Sequence, residues 1–175
     1  MKKLLLLGNL VFSTIGVGQI WLVQLSSYRL WALVGPGEFH AYHIAWWHSI
    51  WGPIFIPVGL ALGCNIALFW FRSPALPRSV LWVGIALFIL TYALTTVWWA
   101  PLMALIGASP AEFQAVFSWA PQLRSLRERT QDQLYDLLVA THWFRVTLVT
   151  ASGALAGWMT ARSMDLKKQQ SGFPR

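Results

Sequence analysis

Charged side chains are scarce in this sequence. Asp, Glu, Lys and Arg make up only 11% of its 175 residues, whereas a soluble domain carries about a quarter. This shortage excludes an ordinary water-exposed surface and predicts that much of the chain faces lipid. The 12 Trp residues agree with that prediction, because Trp favours the boundary between apolar and polar surroundings.

Several common chemistries are also missing. The one cysteine, Cys64, lies inside an apolar run, so an intrachain disulfide and a cysteine-based zinc motif are excluded. There is no phosphate-binding loop, serine-hydrolase elbow, His-Glu-x-x-His motif or dinucleotide fingerprint. The net charge is +7, but the basic residues form short clusters beside apolar runs, so we expect no nucleic-acid partner.

Four apolar segments are long enough to cross a bilayer, which needs about 20 apolar residues per helix. We expect an all-α fold, an integral membrane four-helix bundle forming a single domain. The first segment is longer than the core of a signal peptide, and no clear cleavage site follows it, so we expect it to remain as a helix. Turn-forming residues at 26–29 and 35–38 predict a loop after it. The segments span about 4–25, 44–71, 79–105 and 137–161.

The main polar region, about 107–136, separates the third segment from the fourth. It contains Ser109-Pro110-Ala111-Glu112, in which Ser can cap a helix, Pro suits the first helical position and Glu can complete a capping box. We therefore predict a short extra helix from there to about Trp119. A second helix start at Pro121 is expected to lead through Leu123 and Leu126 directly into the fourth segment.

The distribution of basic residues predicts the orientation. If the N-terminus is cytoplasmic, the outer side holds Arg29, Arg124, Arg127 and Arg129, and Arg145 lies within a span. This is the positive-inside pattern. We expect a multi-pass protein of the cell inner membrane with both termini cytoplasmic, the 107–136 loop outside and the tail, 162–175, inside. The inner side then holds the other eight basic residues: Lys2, Lys3, Arg72, Arg78, Arg162, Lys167, Lys168 and Arg175.

Polar residues of the apolar segments gather in the half nearest the outer loop. Polar groups are costly in hydrocarbon, so a set at one depth predicts a shared pocket. Histidine can move protons near neutral pH and arginine can hold an oxyanion. The candidate catalytic residues are His48, His142 and Arg145, and the candidate substrate-binding residues are Gln24, Trp47, Thr95 and Trp99.

Simpler interpretations stay open for the same residues. His40 and His43 could sit at the water interface, and His48 and His142 could make interhelical hydrogen bonds. Arg145 could reach lipid phosphate or pair with a carboxylate, either Glu38 or Asp136.

A metal site is a further alternative. His43 and His142 would supply two imidazoles from facing helices, which suits a haem or a single metal ion. His40 and His43 are three residues apart and could face one ion, whereas His48 is roughly 12 Å along the helix from His40. Nothing in the spacing requires a metal, so the cofactor stays open.

The chain also carries short motifs in a characteristic order. His43 with Trp46-Trp47 opens the second segment, Pro57 lies within it, residues 95–101 end the third, and Thr141-His142-Trp143-Phe144-Arg145-Val146 opens the fourth. This order resembles small four-helix bacterial membrane proteins related to anthrone-oxygenase-like proteins, which often have an Asn/His-aromatic-x-Arg pattern there. The resemblance implies oxygenation of an aromatic or quinone-like lipophile and indicates His43, His48, His142 and Arg145.

Two functional hypotheses follow, and the sequence does not decide whether the protein is an enzyme. In the first, the outer pocket oxidises or isomerises a lipophilic aromatic or quinone-like molecule, which requires a cavity among the outer halves of the helices. In the second, the protein is a non-catalytic subunit of a larger membrane complex and binds lipid, haem or pigment; a small transporter is third. The expected partners are membrane lipids, a lipophilic small molecule, and a second copy or a complex subunit.

Overall fold

The helices were defined in a computed structural model that describes residues 1–71, 74, 76–120, 123, 126 and 128–170, with side chains in the last helix as far as Met164. The expectations for Arg72, Pro121, Arg124, Arg127 and Arg175, and for the side chains of Lys167 and Lys168, lie outside this description. All regular structure in the described residues is helical, which confirms the all-α prediction. The helices are α1 Lys2–Trp31, α2 Pro36–Phe71, α3 Arg78–Gly107, α4 Pro110–Phe117 and α5 Gln131–Gln170.

Three of these helices, α1 to α3, are long and apolar enough to cross a membrane. Within the part of the chain that the structure describes, α5 falls short of the apolar composition of those three. It nevertheless packs along both α1 and α3, while α2 packs against α1 and α3. Each of the four long helices therefore contacts two others.

The connection between α1 and α2 is shorter than predicted. Residues 26–31 are helical and α2 begins at Pro36, so the expected loop over 26–38 is wrong. The buried face of the first helix extends past residue 25, the predicted end of the segment. It includes the buried residues Ile20, Val23, Tyr28 and Trp31. Pro36 suits a helix start, since the first helical N–H has no intrahelical partner to lose.

Two of the long helices contain a π-helical segment, Val23–Ser27 in α1 and Thr95–Trp99 in α3. In α3 the segment lies just before Pro101, which lacks an N–H and would crowd the carbonyl four residues earlier in an α-helix. The wider turn relieves this conflict. Such segments are frequent at functional sites, and both of these lie at the depth where the polar residues gather.

The described part of residues 107–136 contains two separate helix starts. Ser109 and Glu112 form the predicted capping box at α4, and hydrogen bonds from Ser109 hold the pKa of the Glu112 carboxyl below its ordinary value. The predicted continuity into the fourth segment is wrong, because residues 129 and 130 are not helical and α5 begins at Gln131. Thr130 and Gln133 form a second reciprocal cap there, through hydrogen bonds of 3.1 and 3.3 Å.

Only some glycines lie in close contact with a neighbouring helix. Two pairs of glycines are spaced four residues apart, Gly59 with Gly63 and Gly153 with Gly157, and one glycine of each pair approaches a neighbouring helix. Gly59 faces the Tyr92 hydroxyl and Gly153 faces Val17, whereas Gly63 and Gly157 face open space. The tightest approaches are elsewhere, where Gly84 lies under the Asn65 amide and Gly107 lies under the His43 ring. The last contact joins the end of α3 to the N-terminal part of α2.

Candidate functional site

Five polar side chains are buried in the half of the helices that lies nearest residues 107–136. They come from α1, α2, α3 and α5, and His142 is completely enclosed, with 0% of its surface exposed. A buried polar group without a hydrogen-bond partner destabilises the folded protein. The hydrogen bonds that these five side chains make therefore decide what the site can do. The five residues are Gln24, His43, Thr95, His142 and Arg145.

Gln24, in the π-helical segment of α1, determines which nitrogen of His142 carries the proton. Its amide nitrogen donates to the Val139 carbonyl at 3.3 Å, so its oxygen faces Nδ1 of His142, 2.7 Å away. Because an amide oxygen only accepts, Nδ1 must donate. The lone pair of neutral His142 is then on Nε2, which has no hydrogen-bond partner among the described residues.

Arg145 lies one turn further along α5 on the same face as His142. Its guanidinium carbon is 5.7 Å from the centre of the Trp99 ring, and the side chain is 5% exposed. Among the described residues it has no ion pair, and its Nε has no hydrogen-bond partner. The alternative in which Arg145 pairs with Glu38 or Asp136 is not formed, and both of those side chains are exposed.

Two narrow clefts meet at Arg145, and α1, α2, α3 and α5 all contribute to each of them. Ile54, Phe55 and Thr95 line both. One cleft continues towards Gln19 and Tyr92, and the other towards Tyr28 and the tryptophans of α2. Their volumes are about 10 and 20 Å³, which is room for about one water molecule each.

The clefts bear directly on the enzyme hypothesis, which requires a cavity at this depth. The described side chains fill the space around Arg145 too closely for an aromatic ring to enter without movement. Of the candidate site residues, Trp47, Thr95 and Arg145 line the clefts, whereas Gln24, Trp99 and His142 are not among the lining residues.

His43 is buried in a different cluster of rings. It is 1% exposed, and its ring lies 5.0 Å from that of Trp31 and stacks on Trp47 at 6.2 Å between ring centres. Neither ring nitrogen meets hydrogen-bond geometry with a described residue, although the Met103 main chain lies close by.

The structure does not place His43 and His142 around one metal ion. The chain of contacts between them runs through two intervening rings, Tyr28 at 4.9 Å from His142 and Trp31 at 5.2 Å from Tyr28. The described residues also contain no group of three or more His, Cys, Asp or Glu side chains that could hold a metal. A metal shared by these two histidines therefore has no geometric support here.

The remaining histidines lie away from the site. His48 is exposed, and the described part of the chain gives it no hydrogen bond, ion pair or ring contact. His40 is also exposed and connects α2 to the end of α3 and to α4. Its Nδ1 lies 2.7 Å from the Gly107 carbonyl oxygen and its Nε2 lies 3.8 Å from the Glu112 carboxylate. His48, a candidate catalytic residue, is therefore not brought together with His142 and Arg145.

Tyr28 is a site residue that the sequence analysis misses. It is completely buried, lies edge-on against His142, lines a cleft with Arg145 and accepts a hydrogen bond at its carbonyl from the Tyr135 hydroxyl. The signal is the helical spacing of apolar residues at 20, 23, 28 and 31, which continues beyond the polar Ser26-Ser27 pair.

Comparisons with known proteins give no further guidance, since no protein-family model, no curated protein and no solved structure matches the chain.

Proposed function

We propose that α5 is a fourth membrane span, so that the chain is a four-helix inner-membrane protein with both termini in the cytoplasm. The polar residues that lower the hydropathy of α5 face the interior of the protein: His142, Arg145 and Ser152 are buried. The exposed face carries the tryptophans Trp143 and Trp158. The helix has 40 residues and is about 60 Å long, enough to cross a hydrocarbon core of about 30 Å. The positive-inside pattern supports the orientation.

This topology is tested by single cysteines in a Cys64→Ala background. Ser118→Cys follows α4 and Met164→Cys is near the end of α5, and both native side chains are exposed. A membrane-impermeant maleimide should label Ser118→Cys on intact spheroplasts and label Met164→Cys only after the membrane is broken. Labelling of both positions on intact spheroplasts would mean that α5 does not cross.

We further propose that the protein binds a lipophilic molecule with an acceptor oxygen, of the aromatic or quinone-like class, at Arg145. The observation that carries this proposal is a buried guanidinium without an anionic partner among the described residues. A charge removed from water is costly unless it is paired, and ionisable groups inside membranes usually mark functional sites. A carbonyl or phenolate oxygen would provide the missing acceptor.

The aromatic residues around the clefts suit a flat apolar ring. Trp47, Trp51 and Phe55 follow one another along α2, with ring centres 5.2 and 4.6 Å apart. Trp51 is 40% exposed, so this wall reaches the lipid-facing surface. A ring would enter by displacing these side chains, and in its absence water in the clefts would solvate Arg145.

The geometry supports binding of the lipophilic molecule more directly than its chemical conversion. Isomerisation needs a group that accepts a proton, and Nε2 of His142 carries a free lone pair. His142 does not line either cleft, however, whereas Tyr28, which contacts the His142 ring, lines one of them. The oxygenation implied by the resemblance to anthrone-oxygenase-like proteins stays a prediction.

A non-catalytic subunit of a larger membrane complex, or of a homo-oligomer, is the second candidate. The water-sized clefts favour it, since a subunit needs only a filled core. In that case Arg145 serves packing and hydration rather than ligand binding.

The two candidates differ in their response to 2-hydroxy-1,4-naphthoquinone, an anionic quinone probe. Titration of the detergent-purified protein should quench Trp fluorescence with saturation. Arg145→Gln should weaken binding by about tenfold or more, because hydrogen bonds to a charged group contribute about 1.5–3 kcal/mol. Arg162→Gln is the matched control on the exposed side of α5 and should bind as the wild type does. Absence of saturable quenching in a folded wild type, or equal affinity for Arg145→Gln, would favour the subunit.

A further inference from the structure

A second apolar feature lies at the opposite end of the bundle, away from Arg145. It is a surface groove of about 690 Å³ between the end of α2 and the beginning of α3, and we name it the hairpin groove. Its volume greatly exceeds that of the clefts in the outer half. The groove is lined by Ile66, Phe69 and Trp70 from α2 and by Arg78, Trp82 and Ile85 from α3.

The walls of the hairpin groove are apolar and lipid-facing. Trp70 and Trp82 are among the most exposed aromatic residues, at 73% and 62%. The Trp82 ring lies edge-on against Phe69, 4.9 Å between centres, which holds one wall in place. An open apolar surface with tryptophans at its rim suits an acyl chain beside a membrane boundary.

Arg78 is the one charged residue among the described residues that line the hairpin groove. It is the first residue of α3 and its side chain is exposed. It forms no ion pair with any described residue. The sequence contains no Asp or Glu between Glu38 and Glu112, so the two helices that form the groove offer no carboxylate near it.

We propose that the hairpin groove binds one anionic phospholipid from the leaflet on the side of Arg78. The phosphate would contact the Arg78 guanidinium, and an acyl chain would follow the seven residues to Ile85, about 10 Å along the helix. Basic positions between membrane helices on the cytoplasmic side recognise anionic head groups in this way. A soluble phosphate would use the same cation but leave the apolar walls uncovered.

The test is native mass spectrometry of the full chain, purified in mild detergent and supplied with equal amounts of phosphatidylglycerol and phosphatidylcholine. The wild type should retain phosphatidylglycerol in preference. Arg78→Gln should reduce that retention by about fivefold, which corresponds to about 1 kcal/mol, the contribution expected of one basic residue near anionic lipid. Arg162→Gln, an exposed arginine outside the groove, should leave retention unchanged.

A second variant separates the apolar walls from the charge. Trp82→Ala should lower retention of both lipids and preserve their ratio, because it removes contact area and no charge. Equal retention of the two lipids by the wild type would overturn the proposal. Equal losses in Arg78→Gln and Arg162→Gln would overturn it as well, because they would indicate a general effect of net charge. None of these outcomes depends on whether Arg145 binds a ligand.

Discussion

Replacing Trp31 with alanine should lower the free energy of unfolding by about 3–5 kcal/mol, the usual cost of removing a large buried aromatic side chain. Trp31 is 2% exposed and belongs to the cluster of buried apolar side chains that joins α1, α3, α4 and α5. Its ring contacts those of Tyr28, Phe39, His43 and Trp46, with centres 4.8 to 6.1 Å apart. Because these rings come from α1 and α2, the substitution leaves a cavity that neither helix can fill alone.

Trp158→Ala is the matched control, since Trp158 is 47% exposed on α5. It should change the free energy of unfolding by less than about 1 kcal/mol. Both variants are measured by reversible unfolding in mixed micelles with increasing SDS. A loss for Trp31→Ala no greater than that for Trp158→Ala would contradict the packing described for the outer half.

Gly107→Ala should destabilise the protein by about 1–3 kcal/mol, the usual cost of overpacking a filled site. A Cβ at this position would overlap the ring of His43. That ring cannot retreat easily, because it is buried and packed against Trp31 and Trp47. The same SDS unfolding measurement applies.

Two comparisons make the Gly107 prediction specific. Gly63→Ala lies in α2 with nothing within 4 Å of the added methyl, so it should be neutral or stabilise by up to about 1 kcal/mol through helix propensity. In a His43→Ala background the cost of Gly107→Ala should fall well below 1 kcal/mol, because contacting residues are not additive. An undiminished cost would mean that Gly107 is required for its backbone and not for the His43 ring.

Long apolar runs made much of the fold predictable. Three runs correspond to α1, α2 and α3, and the Ser109–Glu112 cap is local enough to be recognised from four residues. Boundaries were less predictable, because Ser26 and Ser27 look like a loop yet are held in a helix by the packing of Tyr28 and Trp31. A π-helical segment has no simple sequence signature, so neither of the two was expected.

The position of the site residues along the helices was predictable from the sequence, but the side of each helix on which they lie was not. Gln24, His142 and Arg145 are buried together as their position in the apolar segments suggests. His48 lies at a similar depth on α2 but is exposed, and hydropathy cannot tell which side of a helix faces its neighbours. The hydrogen bond from His142 to Gln24 joins residues 118 positions apart, so only the tertiary structure brings them together.

The two π-helical segments also affect how this chain should be aligned with others. A π turn holds one residue more than an α turn, so everything beyond Val23–Ser27 or Thr95–Trp99 is shifted by one position. A related chain with plain α-helices there would align only across a single-residue gap inside an apolar segment. Scoring schemes that forbid gaps within membrane helices would misplace Tyr28 and Trp31 in one helix and Leu102 and Met103 in the other. Searches for relatives should therefore permit one-residue deletions at these two places.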